Sequence, residues 1–151
     1  MLKKIGYGLL AVLIVIQFIR PERNISEMPS ENDIRVHHPL PGNVESILKR
    51  ACYDCHSNNT NYPWYTNIQP IGWWMQDHVN EGKRELNFSE FATYSPKKAD
   101  HKLDEVIELV EEKEMPLESY TLIHKDAVLT ADETETLINW AKELRKTIYP
   151  R

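Results

Sequence analysis

The feature that most limits how this chain can fold is Cys52-Tyr53-Asp54-Cys55-His56, a C-x-x-C-H run that holds both cysteines of the 151 residues. On one turn of helix, positions i, i+3 and i+4 face the same way, so two thiols and an imidazole can converge on one flat partner. The pattern is the attachment signature of a c-type haem, in which the thiols form thioethers with two vinyl groups and the imidazole reaches the iron. A redox-active dithiol should follow a strand in a βαβ pattern, and a structural zinc site should have a second ligand pair at similar spacing. The sequence offers neither. One haem c, attached through Cys52 and Cys55 with His56 on the iron, is therefore the expected cofactor.

Covalent attachment of this kind takes place outside the cytoplasm, and the N-terminus carries a matching signal. Ile5 to Ile19 is an uncharged run of fifteen residues, preceded by Lys3 and Lys4 and followed by Arg20. It is short for a bilayer span, although flanking Lys and Arg side chains extend its reach by snorkelling. The chain continues Gln-Phe-Ile-Arg-Pro-Glu-Arg, with no small residues to form a cleavage site. The expectation is an uncleaved signal anchor over residues 1–20, folded as a single transmembrane helix in the inner membrane. The lysines would stay in the cytoplasm and the rest would face the periplasm, an orientation that Arg20 and Arg23 weaken without reversing.

After position 23 the chain holds 14 basic and 22 acidic residues, a net charge of −8. A body that acidic repels phosphate backbones and anionic lipid headgroups, so nucleic acid is not expected as a partner. Residues 21–41 contain four of the nine prolines and little apolar periodicity, so an extended tether is expected there. Residues 42–151 then read as an all-α domain with long loops. Val44, Ile47, Leu48 and Ala51 form the stripe of a short helix that runs into Cys52. Ile71, Trp74, Met75, His78 and Val79 share a face after Pro70, with Gly82 as the stop. Leu103, Val106, Ile107 and Val110 form a third stripe. Thr130 and Glu133 make a capping box for the last helix, whose buried stripe is Leu137, Trp140, Ala141, Leu144 and Ile148. Ser57 to Gln69, Leu86 to Lys98 and Met115 to Leu129 read as loops.

This arrangement resembles class I cytochromes c, in which a helix leads into C-x-x-C-H, a methionine loop follows some sixty residues later, and a final helix with an aromatic packs across the first. The corresponding elements are Gly42 to Ala51, Cys52 to His56, Met115-Pro116, and Thr130 to Lys146 with Trp140. The middle of the chain departs from that pattern. Ser57-Asn58-Asn59-Thr60, Tyr62-Pro63-Trp64-Tyr65, Pro70-Ile71-Gly72-Trp73-Trp74, His78-Val79-Asn80-Glu81-Gly82, Leu86-Asn87-Phe88-Ser89 and Met115-Pro116-Leu117 are similar to the bacterial haem-binding domain proteins. That resemblance covers nearly all of Val44 to Trp140. It implies haem c binding by an exported protein of Gram-negative, chiefly Bacteroidetes-type, bacteria.

The class I resemblance also implies a backbone carbonyl that holds the second ring nitrogen of His56, with Pro70 at the matching distance and Pro63 behind it. Met115, 59 residues after His56, takes the position of the distal ligand, with His124 and then His78 as bis-histidine alternatives. The dense aromatic group Tyr62, Trp64, Tyr65, Trp73 and Trp74 is expected to cover the haem and supply core, Trp64 and Trp74 being the haem contacts. Lys83 and Arg84 are candidates to neutralise a propionate, or simply a solvated helix end; Asn58, Asn59 and Asn61 read as turn formers.

No paired carboxylates, nucleophile with a base, or phosphate loop accompany the motif, so no catalytic residues are assigned. The expected function is single-electron transfer by a membrane-anchored monohaem cytochrome, with periplasmic or membrane redox proteins as partners. A haem-based sensor or a peroxidase-associated domain with an open distal face is the alternative.

Overall fold

A computed structural model describes residues 1–150, and among them the regular structure is helical, with one isolated antiparallel bridge between Ile25 and Asn59. The elements are α1 (Leu2–Ile16), α2 (Ile34–His37), α3 (Gly42–Ala51), α4 (Tyr53–His56), α5 (Ile71–Glu85), α6 (Pro96–Glu111), α7 (Glu118–Thr121) and α8 (Ala131–Ile148). Short 3-10 turns occupy Trp64–Asn67, Phe88–Thr93 and Lys125–Ala127. The all-α expectation is met.

The core is built from amphipathic helices whose apolar positions recur every three or four residues. Helix α6 starts at Pro96, whose missing N–H costs nothing at a first helical position, and Ser95 caps it by accepting from Lys98 N–H. It buries Ala99, Leu103, Ile107 and Val110 against Leu137, Ala141 and Leu144 of α8. The capping box of α8 is present on both sides: Thr130 accepts from Glu133 N–H, and the Glu133 carboxylate accepts from Thr130 N–H. Near its other end, Arg145 bonds Asp100 at 2.7 Å and also pairs with Asp104, which fixes the register of α8 along α6. Helix α3 lays Val44, Ile47 and Leu48 onto the same core and leads directly into α4. The final helix thus packs mainly along α6 and only secondarily on α3.

Three expectations are corrected. The stretch from Leu86 to Lys98 is not an open loop. Phe88 and Phe91, each 2% exposed, are among its residues and are the largest fully buried side chains. They stand three residues apart on one side of the 3-10 turn Phe88–Thr93, and a turn that short shows no sustained stripe in the sequence.

Residues 21–41 are not a free tether. Ile34 is fully buried in the core, and Asp33 caps α2 by accepting from Arg35 N–H. Asn32 carbonyl accepts from Ala92 N–H, and Asn24 carbonyl accepts from Thr60 N–H, each at 3.0 Å. The prolines give this segment its extended path, but the Asn24 and Asn32 side chains hold that path against the body.

The expected transmembrane helix over residues 1–20 is shorter in the structure. Helix α1 has 15 residues, about 22 Å at the usual rise, against about 30 Å of bilayer hydrocarbon. No helix among the described residues is long and apolar enough to cross a membrane. Helix α1 nonetheless buries none of its residues.

Candidate haem site

The C-x-x-C-H run forms where α3 ends. Cys52 caps α3, donating to Leu48 carbonyl, and its own carbonyl accepts from Cys55 N–H at 3.2 Å and His56 N–H at 2.9 Å. The resulting single turn α4 carries Cys55 and His56, with Cys52 at its start, so the three side chains issue from one turn. Burial pushes the Cys52 thiol up to about 12 and the Cys55 thiol up to about 11, with neighbouring Cys55 and Asp54 adding to the respective shifts. Burial thus favours the neutral thiol at both positions. Among the described residues no group of three or more His, Cys, Asp or Glu side chains could hold a metal ion.

The partner of His56 is Leu86. Nδ1 of the ring lies 2.9 Å from Leu86 carbonyl oxygen, and since a carbonyl can only accept, Nδ1 carries the proton. Burial lowers the pKa of the ring, against the opposing pull of the Leu86 and Gly82 carbonyls. A neutral imidazole protonated on Nδ1 keeps its lone pair on Nε2, the form required of an iron ligand. The expected acceptor, Pro70, is elsewhere: its carbonyl accepts from Trp74 N–H in the first turn of α5, and the Pro63 carbonyl accepts from Thr66. Leu86 sits just past the end of α5 in an extended conformation, which turns its carbonyl out of the helix.

Gly82 is the second departure. It lies inside α5 rather than ending it, and a Cβ there would stand 2.8 Å from Cys55 carbonyl oxygen and 3.0 Å from Cys55 Cβ. The absent side chain lets α5 approach α4 closely enough for Leu86 to reach His56.

The asparagines following the motif do more than form turns. Asn87 donates through Nδ2 to Asn58 Oδ1 at 2.8 Å and caps the next turn by accepting from Ser89 N–H. Ser89 Oγ accepts from Asn58 N–H, and Asn58 Nδ2 donates to Glu90. The Ser57–Thr60 and Leu86–Ser89 segments, far apart in sequence, are thus stitched together beside the His56–Leu86 bond. From the N-terminal side, Asn24 Nδ2 donates to Ser57 carbonyl and Thr60 Oγ1, while its Oδ1 accepts from Lys83 Nζ at 2.5 Å. Lys83 is engaged there. Arg84, by contrast, is exposed between Glu81 and Glu85.

The other expected site residues divide. Met115 is half-buried against the main core. Trp64 and Trp74 are not covered: they are 75% and 46% exposed, so neither supplies core. Trp73 instead donates its indole N–H to Ile19 carbonyl, and Tyr62 bonds Gln76 and Asn24. His78 faces Trp74 at 4.4 Å between ring centroids and donates to Trp74 carbonyl. His124 stacks on Tyr120 at 4.1 Å, donates through Nδ1 to Tyr120 carbonyl, and accepts on Nε2 from Tyr65 hydroxyl at 3.2 Å. Tyr120 in turn donates to Asp54, inside the motif, at 2.8 Å. His37 and His101 are exposed, while His38 is half-buried with its ring edge-on to Phe91.

The residues present fit a haem c: two protonated thiols and a correctly tautomerised imidazole on one turn, with a glycine that clears the approach of the helix behind them. A helical domain with such a turn belongs to the class of haem-binding proteins. The haem-binding domain family matches residues 11–143, and the chain belongs to it. No curated protein and no solved structure matches the chain.

Proposed function

We propose that this chain is an exported monohaem c-type cytochrome, attached through its N-terminal segment to the periplasmic face of the inner membrane, that passes single electrons between protein partners. The observation that carries the reading is the hydrogen bond from His56 Nδ1 to Leu86 carbonyl, because it leaves Nε2 ready as a ligand beside two thiols. A bound haem would supply a one-electron iron couple. Cys52 and Cys55 would hold such a group by adding their thiols across two vinyl double bonds, sulfur to one carbon and hydrogen to the other, with nothing lost. Met115, on the loop between α6 and α7, is the proposed ligand of the opposite face. His56 and Met115 would together hold the group as an electron carrier rather than as a substrate-binding centre, and no catalytic residues are assigned.

The test is expression of the full chain with a periplasmic haem-attachment system. Haem should survive acid-acetone extraction, the intact mass should exceed the apoprotein by one haem, and the reduced protein should not bind carbon monoxide. Replacing Cys52 and Cys55 together by Ala should make the haem extractable. Stoichiometric zinc in place of haem would overturn the cofactor, and rapid carbon monoxide binding would replace the electron carrier by a sensor with an open distal face.

A further inference from the structure

The root of α1 is docked on the haem domain. The Gln17 side chain pairs with the backbone of Gln69, accepting from its N–H at 2.9 Å and donating to its carbonyl at 3.1 Å. Ile19 carbonyl accepts from the Trp73 indole at 2.7 Å. Arg23 donates to Asn67 at 2.6 Å and lies over the Tyr62 ring. Every partner falls within residues 62–73, so the apolar helix leaves the body at one defined corner.

At that corner, apolar side chains stand in solvent. Trp64 is 75% exposed, and Ile68, Ile71 and Trp74 are 45%, 42% and 46% exposed. They are interleaved in sequence with the docking residues Asn67, Gln69 and Trp73. Phe18 and Ile19, in the docked segment itself, are 83% and 58% exposed. An exposed apolar patch next to an apolar helix that buries nothing marks an interaction surface. Its chemistry is that of a membrane–water interface, where Trp rings settle at headgroup level at the ends of apolar helices. Arg20 and Arg23 directly follow the apolar run in sequence and suit anionic headgroups, whereas the acidic excess lies further along the chain. The shortness of α1 adds a physical reason, since extra apolar area at its root supplements what a helix of this length can bury.

We propose that Trp64, Ile68, Ile71 and Trp74 form a lipid-facing platform that seats the haem domain on the headgroup layer of a phospholipid bilayer at the root of α1. The platform rests on the membrane-attached reading given above, and it assigns Trp64 and Trp74 to lipid in place of the haem contact expected from the sequence. It fixes the orientation of the haem motif relative to the bilayer, which a flexible tether would leave free.

The experiment uses the full haem-loaded chain with vesicles of phosphatidylethanolamine and phosphatidylglycerol that carry a phospholipid with a photoreactive group near its headgroup. After flotation and irradiation, crosslinked peptides are mapped by mass spectrometry. Lipid adducts on residues 64–74, in addition to α1, are expected. Gln17→Ala combined with Trp73→Phe, which undocks the root, should lose the 64–74 adducts and keep those on α1. Adducts confined to residues 1–20 of a chain that still floats would overturn the platform and leave the anchor standing. A chain that does not float would overturn both.

Discussion

A Cβ on Gly82 would stand 2.8 Å from the carbonyl oxygen of Cys55, so α5 and α4 touch through backbone at the haem motif. Backbone cannot give way as a flexible side chain can. Gly82→Ala should therefore push the helices apart, costing about 1–3 kcal/mol as overpacking does, even though alanine is the better helix former. The displacement also draws Leu86 carbonyl away from His56. Urea unfolding of the holoprotein should show the loss of stability, and the reduction potential should shift because the ring loses its acceptor. An unchanged potential in a destabilised variant would separate packing from ligand orientation.

Two tyrosines near the motif should respond oppositely to the same substitution. The Tyr53 hydroxyl is buried with no hydrogen-bond partner, whereas the Tyr120 hydroxyl donates to Asp54 at 2.8 Å. Removing an unpaired buried hydroxyl relieves a desolvation cost; removing a bonded one strands its acceptor. Tyr53→Phe should be neutral or stabilising, and Tyr120→Phe should cost about 1–3 kcal/mol, both read as midpoints of urea unfolding. Equal losses in the two variants would contradict this account.

What the sequence disclosed, and what it hid, follows the range of the interactions. The motif turn, the stripe of α3 and the Thr130–Glu133 capping box are local, and each appears where the spacing places it. The His56–Leu86 bond joins residues thirty apart through a carbonyl, which has no residue-type signature; only the packing of α5 on α4 creates it. Gly82 looked like a helix stop because a glycine required for close approach and one required for termination are the same letter. The docking of residues 21–41 is hidden for a related reason. Proline-rich chain predicts an extended path but not whether Asn24, Asn32 and Asp33 will find partners along it. Aromatic density suggests that Trp64 and Trp74 supply core, yet both are exposed, since density alone does not tell core from exposed patch.

Asp33 links stability to pH. Its burial favours the neutral acid, but hydrogen bonds and charge from Arg35 outweigh that and hold its pKa below the ordinary 3.8. A carboxylate depressed in the folded state contributes stability that is complete above its unfolded pKa and is lost as pH falls through the folded one. Urea unfolding as a function of pH should show stability declining below about pH 4. Asp33→Asn should be less stable at neutral pH and should show a shallower decline. Identical slopes in the two proteins would assign the acid sensitivity to other carboxylates.

The distal ligand is the remaining test of the electron-carrier proposal. His124 has both ring nitrogens committed, Nδ1 to Tyr120 carbonyl and Nε2 to Tyr65 hydroxyl, so recruiting it to iron means giving up the Tyr65 bond at least. His78 uses Nδ1 on Trp74 carbonyl and projects from α5, the helix that leads into Leu86, whose carbonyl stands behind His56. Met115 carries no such commitment in its thioether, and it stands on the loop between α6 and α7, half-buried against the core. A thioether opposite an imidazole also raises the potential, as suits a carrier. Met115→Ala should abolish the weak sulfur-to-iron charge-transfer band of the oxidised protein, lower the potential, and open the reduced iron to carbon monoxide. His124→Ala and His78→Ala should keep the band and remain closed to carbon monoxide. If the methionine variant keeps its low-spin spectrum while one of the histidine variants loses it, the ligand is that histidine.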